Sequence, residues 1–356
     1  MTGHSDTTTP PTLIPTRWVG PLRLSGPIID ESVEVPLATY EAPLWPSVGR
    51  GARVSRLVPE GRGIRVEVLS ESMTRSVVVR TADVTAAANV ASRVEADLHE
   101  LQTVVADTSR FARLKGVHTE IVGALVFLRF QFTTGDASGH NMTTLASEHL
   151  IAHVMTHYSA EYGSISGNLC VDKKNSSING ILGRGKSVTA DILIPSEIVS
   201  SQLRTSASSV ARLNQEKNYI GSILAGGVRT ANAHYANMLL AFYLATGQDA
   251  ANIVEGSQGF TYAEDRDGDL YFSCSLPNLI VGTHGNGKGS PAIQANLVRL
   301  GCGDGHGVGD AARRLAAICA ATVLCGELSL LAAQTNPGEL MKSHLSLERS
   351  ETHANA

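Results

Sequence analysis

The stretch Val117-His-Thr-Glu-Ile-Val-Gly-Ala-Leu-Val-Phe-Leu-Arg-Phe-Gln-Phe-Thr-Thr134 decides the fold class, and its richness in Val, Ile, Leu and Phe predicts a strand or a hairpin. Upstream, residues 81–110 have apolar side chains at helical spacing, which predicts one long amphipathic helix. These side chains are Val90, Val94, Leu98, Leu101 and Val105. Downstream, residues 141–158 also have a helical pattern. The order helix, strand, helix predicts a compact α+β unit over residues 77–162.

Beyond this unit, strands and helices alternate without an internal repeat. We expect strands near residues 164–170, 187–195 and 269–276, and a helix over residues 232–246. Residues 311–334 form a mostly apolar helical pattern, so we expect this helix to be largely buried.

Composition limits the possible classes of protein. A chain of 356 residues with 43% hydrophobic residues can build a sizeable core and more than one domain. The net charge of −4 argues against a nucleic-acid partner. We find no run of about 18 apolar residues and no targeting pattern at the start, so we expect a cytoplasmic protein without a membrane span. The scattered cysteines are predicted to be reduced and buried; they are Cys170, Cys274, Cys302, Cys319 and Cys325.

The segment Gly180-Ile-Leu-Gly-Arg-Gly-Lys-Ser187 matches the phosphate-loop pattern of nucleotide hydrolases in letters only. A phosphate loop needs a strand before it and a helix after it, because the helix N-terminus holds the phosphate. Here the preceding residues look helical and the following residues alternate like a strand. We therefore predict no nucleotide hydrolysis at this segment.

Two further patterns have ordinary structural explanations. His149, His153 and His157 would share one helical face, but no acidic or thiol partner is placed beside them, so we predict no metal. The glycine-rich stretches 285–289 and 301–307 lack the strand, helix and acidic residue of a dinucleotide-binding fingerprint. We expect turns there.

Several blocks carry a more specific signal. They are Thr134-Gly-Asp136-Ala-Ser-Gly-His-Asn141-Met142, Cys170-Val-Asp172-Lys173-Lys174, Gly183-Arg-Gly-Lys-Ser187, Lys217-Asn218, Asn232-Ala-His234-Tyr-Ala-Asn237, Gly247-Gln-Asp249-Ala, Gly326-Glu-Leu-Ser-Leu-Leu-Ala-Ala333 and Ser343-His344. Their identities and order resemble the 3-hydroxy-3-methylglutaryl-coenzyme A (HMG-CoA) reductase family over nearly the whole chain after about residue 16. The Asp136 and Lys173 blocks look more like the first class of that family than the second, bacterial class.

The resemblance implies an α+β fold in which a large split domain holds an inserted small ferredoxin-like nucleotide-binding domain. The expected boundaries are a disordered tail over 1–15, a large substrate domain over 16–76 and 163–335, a small NADP-binding domain over 77–162 and a C-terminal flap over 336–356. It also implies a homodimer or higher homo-oligomer with the active site between subunits. No nucleic acid and no membrane are expected as partners.

The implied activity is the two-step reduction of HMG-CoA to mevalonate and coenzyme A in the mevalonate pathway to isoprenoids. We expect NADPH as the cofactor, with NADH less favoured. By resemblance, Lys173 stabilises the negative charge that develops on the carbonyl oxygen, and Glu41 with a raised pKa supplies a proton. Asp249 would lie between them, and His344 would protonate the leaving coenzyme A thiolate.

Further contacts are implied by matching positions. The substrate-binding residues would be Arg75, Ser166, Asp172, Lys174, Lys217 and Asn237, with His234 less clearly matched. The cofactor-binding residues would be Ser109, Arg110, Phe111, Asp136, Ala137, Ser138, Gly139, His140 and Asn141.

The chain departs from the family pattern around Glu41, where Tyr40, Ala42 and Pro43 are unusual, and in the loop Gly282-Thr-His-Gly-Asn-Gly-Lys288. The altered Glu41 loop leaves open a related reductase acting on a different acyl-CoA. A second alternative, of a different class, is a coenzyme A-binding protein without catalysis.

Overall fold

A computed structural model describes residues 12–339, 341 and 345. Most of the expected tail over 1–15 and most of the expected flap over 336–356 lie outside the described residues. Helices and one branched sheet of nine strands make up the described part, so the predicted α+β class is confirmed.

The strands are β1 (Thr16–Ser25), β2 (Glu31–Ala38), β3 (Ile64–Arg80), β4 (Arg113–Val122), β5 (Leu125–Thr133), β6 (Glu161–Ser164), β7 (Gly185–Ile194), β8 (Phe260–Arg266) and β9 (Asp269–Leu279). The helices are α1 (Leu44–Leu57), α2 (Val84–Ala96), α3 (Leu98–Thr108), α4 (His140–His157), α5 (Ser177–Leu182), α6 (Ser196–Ile198), α7 (Ala207–Leu213), α8 (Ser222–Leu224), α9 (Tyr235–Ala245), α10 (Ile253–Gly256), α11 (Pro291–Arg299) and α12 (Asp310–Gln334). Short 3₁₀ turns occur at Pro59–Gly61 and Ala250–Asn252, and π-helical turns at Val199–Leu203 and Asn214–Gly221.

Strand β3 belongs to both halves of the sheet. Its first part pairs with β7 and β1, and its second part pairs with β5 and β6. The change occurs near Ser72, where the partner switches from Gly185 on β7 to Phe132 on β5 at the next residue. One continuous strand thus joins the two halves.

The inserted half has the order β-α-β-β-α-β along the chain and β6-β3-β5-β4 across the sheet. This connectivity is that of a ferredoxin-like unit. It encloses its own apolar core, formed by residues between Val77 and Ala160. The strand or hairpin predicted around Val117 is the hairpin of β4 and β5, and the helix predicted over 141–158 is α4.

The other half builds a separate and larger core around α12. Gly51 of α1 packs so closely on α12 that an added Cβ would lie 2.3 Å from the Cys325 carbonyl oxygen. By length and composition alone α12 could cross a membrane, but 94% of its most apolar window is buried against the protein, as in a core helix. The predicted burial of residues 311–334 is therefore confirmed.

The single long helix predicted over residues 81–110 is wrong, because the structure has two helices that meet at Asp97. The Asp97 carboxylate accepts a hydrogen bond from the Tyr158 hydroxyl at 2.9 Å, and its backbone departs from helical angles. Apolar periodicity continues through the break, so the pattern alone does not reveal it. An Asp side chain that finds a partner outside the helix favours such a break.

Two smaller predictions agree with the structure. Helix α5 precedes the phosphate-loop look-alike and strand β7 follows it, so the context is inverted as predicted. Lys186 of that segment is buried and lies 3.7 Å from Glu71 rather than pointing into a loop. All five cysteines are free and buried.

Candidate active site

The centre of the candidate site is an ion pair between Lys173 and Asp249. The Lys173 Nζ lies 2.7 Å from Asp249 Oδ2, and both side chains remain partly open to solvent. Burial works to raise the pKa of Asp249, but the Lys173 ammonium and the Ala251 N–H outweigh it, so the pKa lies below its ordinary value. The hydrogen bond to Asp249 raises the pKa of Lys173. A charged ammonium is therefore held at an accessible position.

The backbone around Lys173 is unusual. Asn168, Val171 and Lys173 all have positive φ, at 58°, 44° and 56°. Non-glycine residues rarely adopt this region, and a β-branched Val does so at a cost. Strained backbone of this kind concentrates at functional sites, where surrounding contacts hold it. Here the Lys173 N–H donates to Glu255 Oε1 at 3.1 Å.

Beneath the pair lies a buried network of opposite charges. The Arg184 guanidinium contacts Asp172 and Glu255, each at 2.9 Å, and both Arg184 and Glu255 are essentially solvent-free. Asn252 donates to Glu255 at 2.9 Å. Burial raises the pKa of Glu255, although Arg184 opposes the shift. Removing one partner would leave the other charge buried and unpaired, so the network fixes the segment that presents Lys173. We call Asp172, Lys173, Arg184, Asp249 and Glu255 the Lys173 cluster.

The Asp136 turn, residues 134–141, lies against this cluster. His140 begins α4, and its Nε2 is 3.7 Å from Asp172 Oδ1. Burial and the nearby Arg184 lower the pKa of His140. Gly139 has φ 96°, and an added Cβ there would lie 2.6 Å from the Thr134 side chain, so only glycine fits.

A cavity of about 470 Å³ opens beside the Asp136 turn. It is lined by Phe111, Thr134, Asp136, Ala137, Met142, His284, Gly303, Asp304, Gly305, His306, Val308 and Ala311. Helix α4 starts at the same turn, and no side chain among the described residues caps its N-terminus. Free N–H groups at a helix start favour an anionic group.

The Asp136 carboxylate itself has a structural role. Its two oxygens accept hydrogen bonds from Gly309 N at 2.8 Å and Ala312 N at 3.0 Å, which caps the start of α12. Its backbone oxygen accepts from Thr283 N at 2.8 Å. The carboxylate therefore fixes the wall of the cavity, a role that the sequence did not suggest.

The other predicted cofactor residues are divided between the cavity and its edge. The Ser109 hydroxyl accepts from the Phe111 and Ala112 N–H groups and shapes the turn after α3. Phe111 exposes 46% of its surface and lines the cavity. The exposed Arg110 guanidinium lies 5.6 Å from the centre of the Phe111 ring. Ser138 and Asn141 belong to the Asp136 turn.

Glu41 lies in a different cavity, of about 360 Å³, which we call the Glu41 cavity. Its lining is Glu41, Pro43, Leu44, Pro46, Ser47, Arg50, Gln202, Arg204, His234, Ser329, Leu330, Ala333 and Glu339. Glu41 is exposed and follows β2 in a turn closed by the Leu44 N–H bond to its carbonyl oxygen. Within the described part of one chain, no hydrogen bond or ion pair joins Glu41 to Lys173 or Asp249.

Lys217 and Asn237 lie near the Glu41 cavity. Lys217 is on the π-helical turn Asn214–Gly221, and its Nζ donates to Gln334 Oε1 at 2.8 Å. Burial lowers the pKa of Lys217. The Asn237 amide lies 3.5 Å from His234 Nδ1, and His234 lines the cavity. A π-helical turn is typical of functional positions.

The remaining predicted substrate residues lie on β3 and in the segment between β6 and α5. Arg75 on β3 donates to the Ile165 carbonyl at 3.2 Å, next to the exposed Ser166. Lys174 is exposed, and its Nζ donates to the Asp172 carbonyl at 3.2 Å. His344 lies outside the described residues.

Sequence reasoning missed the residues that support the predicted ones. Arg184 is the buried partner of both Asp172 and Glu255, and Lys288 is a buried lysine beside Asp249. Arg50 and Arg204 give the Glu41 cavity two guanidinium groups. Arg184 stands inside the block Gly183–Ser187, so its position in a matching motif was the available signal. Glu255 and Arg50 carried none.

The three-histidine face of α4 has ordinary partners. His153 and His157 stack with ring centres 4.1 Å apart, and His153 lies 3.3 Å from Glu100. Within residues 12–339, 341 and 345, no group of three His, Cys, Asp or Glu side chains is arranged to hold a metal ion.

Comparison with known proteins gives a consistent family. A family model described as hydroxymethylglutaryl-coenzyme A reductase matches residues 11–349. The chain is 42% identical over 339 residues to the 3-hydroxy-3-methylglutaryl-coenzyme A reductase of Aeropyrum pernix, which covers 94% of this chain and 79% of that protein. It is 40% identical over 351 residues to the reductase of that name from Drosophila melanogaster, covering 96% of this chain and 37% of that protein.

Among solved structures, the fold is similar to that of the class II 3-hydroxy-3-methylglutaryl-CoA reductase from Streptococcus pneumoniae bound to NADPH in open conformations. The TM-score is 0.74 at 18% identity, with 93% of this chain and 88% of that chain covered. At this identity the likeness concerns the fold.

Proposed function

Because the chain belongs to the hydroxymethylglutaryl-coenzyme A reductase family, we propose that it reduces HMG-CoA to mevalonate and coenzyme A with NADPH. This reaction would place it in the mevalonate pathway to isoprenoids. The observation that carries the proposal is the Lys173–Asp249 ion pair, 2.7 Å long, in a partly open site beside a cavity of nucleotide-binding size.

The chemistry asks for a fixed cation at the reacting carbonyl. Reduction of a thioester to an alcohol takes two reductive steps, and each develops negative charge on the carbonyl oxygen. NADPH, when bound, supplies the reducing equivalents. Lys173 would stabilise the developing charge, since its ammonium is held by Asp249 and by the strained turn around it.

Proton supply would come from Glu41 and His344. Glu41 is the proposed acid for the aldehyde step, and His344 the proposed acid for the coenzyme A thiolate. Asp249 would keep Lys173 charged and, once Glu41 is brought near it, favour the protonated form of Glu41.

The residues around the Asp136 turn fit a nicotinamide dinucleotide. The cavity there offers the half-exposed Phe111 ring, and the uncapped start of α4 offers N–H groups for an anion. Ala137, Ser138, Gly139, His140 and Asn141 would contact the nicotinamide end. The unit over residues 77–162 would therefore be the NADP-binding domain.

Preference for NADPH over NADH requires a cation at the phosphate on the adenosine ribose. Arg110 is the proposed partner, because its guanidinium is exposed at the edge of the same cavity. The measurement is kcat/KM for both cofactors in the wild type and in Arg110→Ala. We expect the variant to lose efficiency with NADPH and keep it with NADH, and equal losses would assign Arg110 to structure.

The substrate would extend from the Lys173 cluster towards the Glu41 cavity. Arg75 and Lys217 are the proposed cations for the carboxylate of the glutaryl group, with Ser166, Asp172, Lys174 and Asn237 as further polar contacts. Arg50 and Arg204 supply positive charge in the Glu41 cavity, which suits the phosphates of coenzyme A. The proposed C-terminal flap, residues 336–356, includes Glu339 in the lining of that cavity and His344, which lies outside the described residues.

We further propose that the enzyme is a homodimer or a higher oligomer with the active site between subunits. The lack of any hydrogen bond or ion pair between Glu41 and the Lys173–Asp249 pair, within the described part of one chain, supports this arrangement. So do exposed apolar side chains on neighbouring segments, since Ile181, Ile223 and Leu224 are 65%, 76% and 83% exposed. The net charge of −4 favours no nucleic-acid partner, and the proposed location is the cytoplasm without a membrane.

Assignment to the first class of the family is also a proposal. Identity is 40–42% to archaeal and animal relatives but 18% to the class II enzyme from Streptococcus pneumoniae. This difference supports a closer relation to the former group.

The test is to incubate the purified protein with HMG-CoA and NADPH, follow cofactor oxidation and identify the product. Formation of mevalonate and free coenzyme A would support the proposal. Turnover of a different acyl-CoA in a substrate panel would instead favour the related reductase. Binding of coenzyme A without any turnover would favour the non-catalytic binding protein.

A further inference from the structure

Lys288 is a buried lysine in the loop 282–289, which we call the Gly282 loop. Only 7% of its surface is exposed. Its Nζ donates to the Gly247 carbonyl oxygen at 2.6 Å and lies 3.4 Å from the Asn286 carbonyl oxygen. Gly247 is two residues before Asp249 in the chain. The reaction described above does not explain why a buried ammonium binds a backbone carbonyl there.

The Lys288 hydrogen bond lies where two backbone segments, around Gly247 and Gly287, pack closely against each other. An added Cβ on Gly247 would lie 2.3 Å from the Gly287 carbonyl oxygen, and one on Gly287 would lie 2.4 Å from the Gly247 carbonyl oxygen. Gly247 has φ 65° and Gly287 has φ 84°. Glycine is required on both sides, so the two segments touch backbone to backbone. The Lys288 side chain joins the two segments through its hydrogen bond to Gly247.

The Gly282 loop also contacts the Asp136 turn. The Gln248 side chain makes hydrogen bonds to both the N–H and the carbonyl oxygen of Gly282, each at 3.0 Å. Thr283 N donates to the Asp136 carbonyl oxygen at 2.8 Å, and Ala137 pairs with His284 as an isolated bridge. The loop therefore lies between the turn that carries Asp249 and the turn proposed to hold the nicotinamide.

We propose that Lys288 is a positioning residue: its ammonium latches the Gly282 loop to the Gly247–Asp249 turn and so sets Asp249 relative to the Asp136 turn. The inference rests on the proposed function for its kinetic consequence. A charge-assisted hydrogen bond of this length is among the stronger contacts of a buried polar group. Misplacement of a catalytic group by a fraction of an ångström lowers turnover more than substrate affinity.

The strength of the hydrogen bond from the Lys288 ammonium should depend on pH. Burial lowers the pKa of Lys288 to about 8, and Asp249 is the charged group that opposes this shift. Lys288 itself lines a cavity with His284, Asp304 and, from α11, Gln294 and Leu297, so His284 and Asp304 are the titratable side chains on that side of the loop. A group with this pKa loses its charge as pH rises through 8, so the latch weakens on the alkaline side.

The experiment compares wild type, Lys288→Met, Lys288→Arg and the control Lys115→Met. Lys115 makes the same kind of contact, an ammonium to the Glu71 carbonyl oxygen at 2.6 Å, but its side chain is exposed and joins β4 to β3 rather than to the Gly247–Asp249 turn. Lys288→Met should lower kcat about tenfold with KM for HMG-CoA within about twofold, and should lose the alkaline limb of the kcat profile near pH 8. Lys288→Arg should recover most of the rate without that limb, because guanidinium stays charged.

A second readout does not depend on activity. Hydrogen exchange followed by mass spectrometry should show faster exchange in residues 247–252 and 282–289 of Lys288→Met, and unchanged exchange there in Lys115→Met. Unchanged exchange in those peptides, or an alkaline limb that persists in Lys288→Met, would overturn the latch. A wild type without HMG-CoA reduction but with the expected exchange pattern would reject the proposed function and leave the latch standing.

Discussion

The Lys173 cluster and the Glu41 cavity carry the two halves of the proposed chemistry, and they differ in how complete they are within one chain. In the Lys173 cluster every charge has a partner: Lys173 with Asp249, and Arg184 with Asp172 and Glu255. In the Glu41 cavity Glu41 itself is exposed, and the proposed acid His344 lies outside the described residues. Under the proposed function, the fold of one chain would place the cation, whereas the proton donors would require a partner subunit and the C-terminal segment.

The largest effect is expected from a substitution in the Lys173 cluster. Lys173→Ala should lower turnover about a hundred- to a thousand-fold, the loss typical of one oxyanion-stabilising group. The fold should persist, because the Lys173 side chain is 40% exposed and its backbone N–H still reaches Glu255. Steady-state kinetics beside circular dichroism would measure both, with Lys115→Ala as the matched surface control. Near-normal turnover in the variant would remove Lys173 from the mechanism.

The second prediction tests whether the two halves meet across subunits. Glu41→Gln should lose about a hundredfold in turnover, as expected for a general acid. If Glu41 of one subunit faces Lys173 of another, mixed dimers of Lys173→Ala and Glu41→Gln contain one intact site. Mixing the two inactive proteins and allowing exchange should then restore activity to about a quarter of wild type, from random pairing in a two-fold dimer. No recovery after proven exchange would place both residues of a site in the same chain.

The fold was largely predictable because its signals are local. Richness in Val, Ile, Leu and Phe predicted a strand or a hairpin where β4 and β5 lie, and a mostly apolar helical pattern predicted the buried α12. The hydrogen bonds and ion pairs that hold the site in place were not predictable, because they join residues far apart in the chain and follow no periodic sequence pattern. Asp136 caps a helix start 173 positions away, and Arg184 pairs with a glutamate 71 positions away. The ordered motif blocks identified Lys173 and Asp249, but only the fold shows their contact.

The third prediction concerns His344 in the C-terminal segment, which is the second proposed proton donor. His344→Gln should lower HMG-CoA reduction about a hundredfold, at the lower end of what a proton donor contributes. Mevaldehyde reduction should stay within about twofold of wild type, because that step releases no thiolate. Both substrates are assayed with the same protein preparation. Equal losses on the two would give His344 a role other than thiolate protonation, and the contrast between the halves would then be less sharp.

The smallest predicted effect is on stability. It distinguishes Asp249, which pairs with Lys173, from Glu41, which makes no ion pair among the described residues. The folded pKa of Asp249 is lowered and that of Lys173 is raised by their mutual contact. A lowered carboxylate pKa stabilises the fold above the unfolded value and is lost as pH falls through the folded value. A raised lysine pKa stabilises the fold below the unfolded value and is lost as pH rises through the folded value. The pair should therefore contribute between about pH 4 and about pH 10, the ordinary pKa values of the two groups.

Both side chains are more than a third exposed, so solvent limits the contribution to no more than about 1 kcal/mol. The measurement is the free energy of unfolding of wild type, Asp249→Asn and Glu41→Gln by denaturant titration at pH 3, 7 and 9. The difference between wild type and Asp249→Asn should be present at pH 7 and 9 and shrink at pH 3. Glu41→Gln should show no such change, because within the described residues Glu41 makes no ion pair. A pH-dependent loss of equal size in both variants would mean that Glu41 also has a cationic partner in the folded protein, and the contrast between the two halves would be lost.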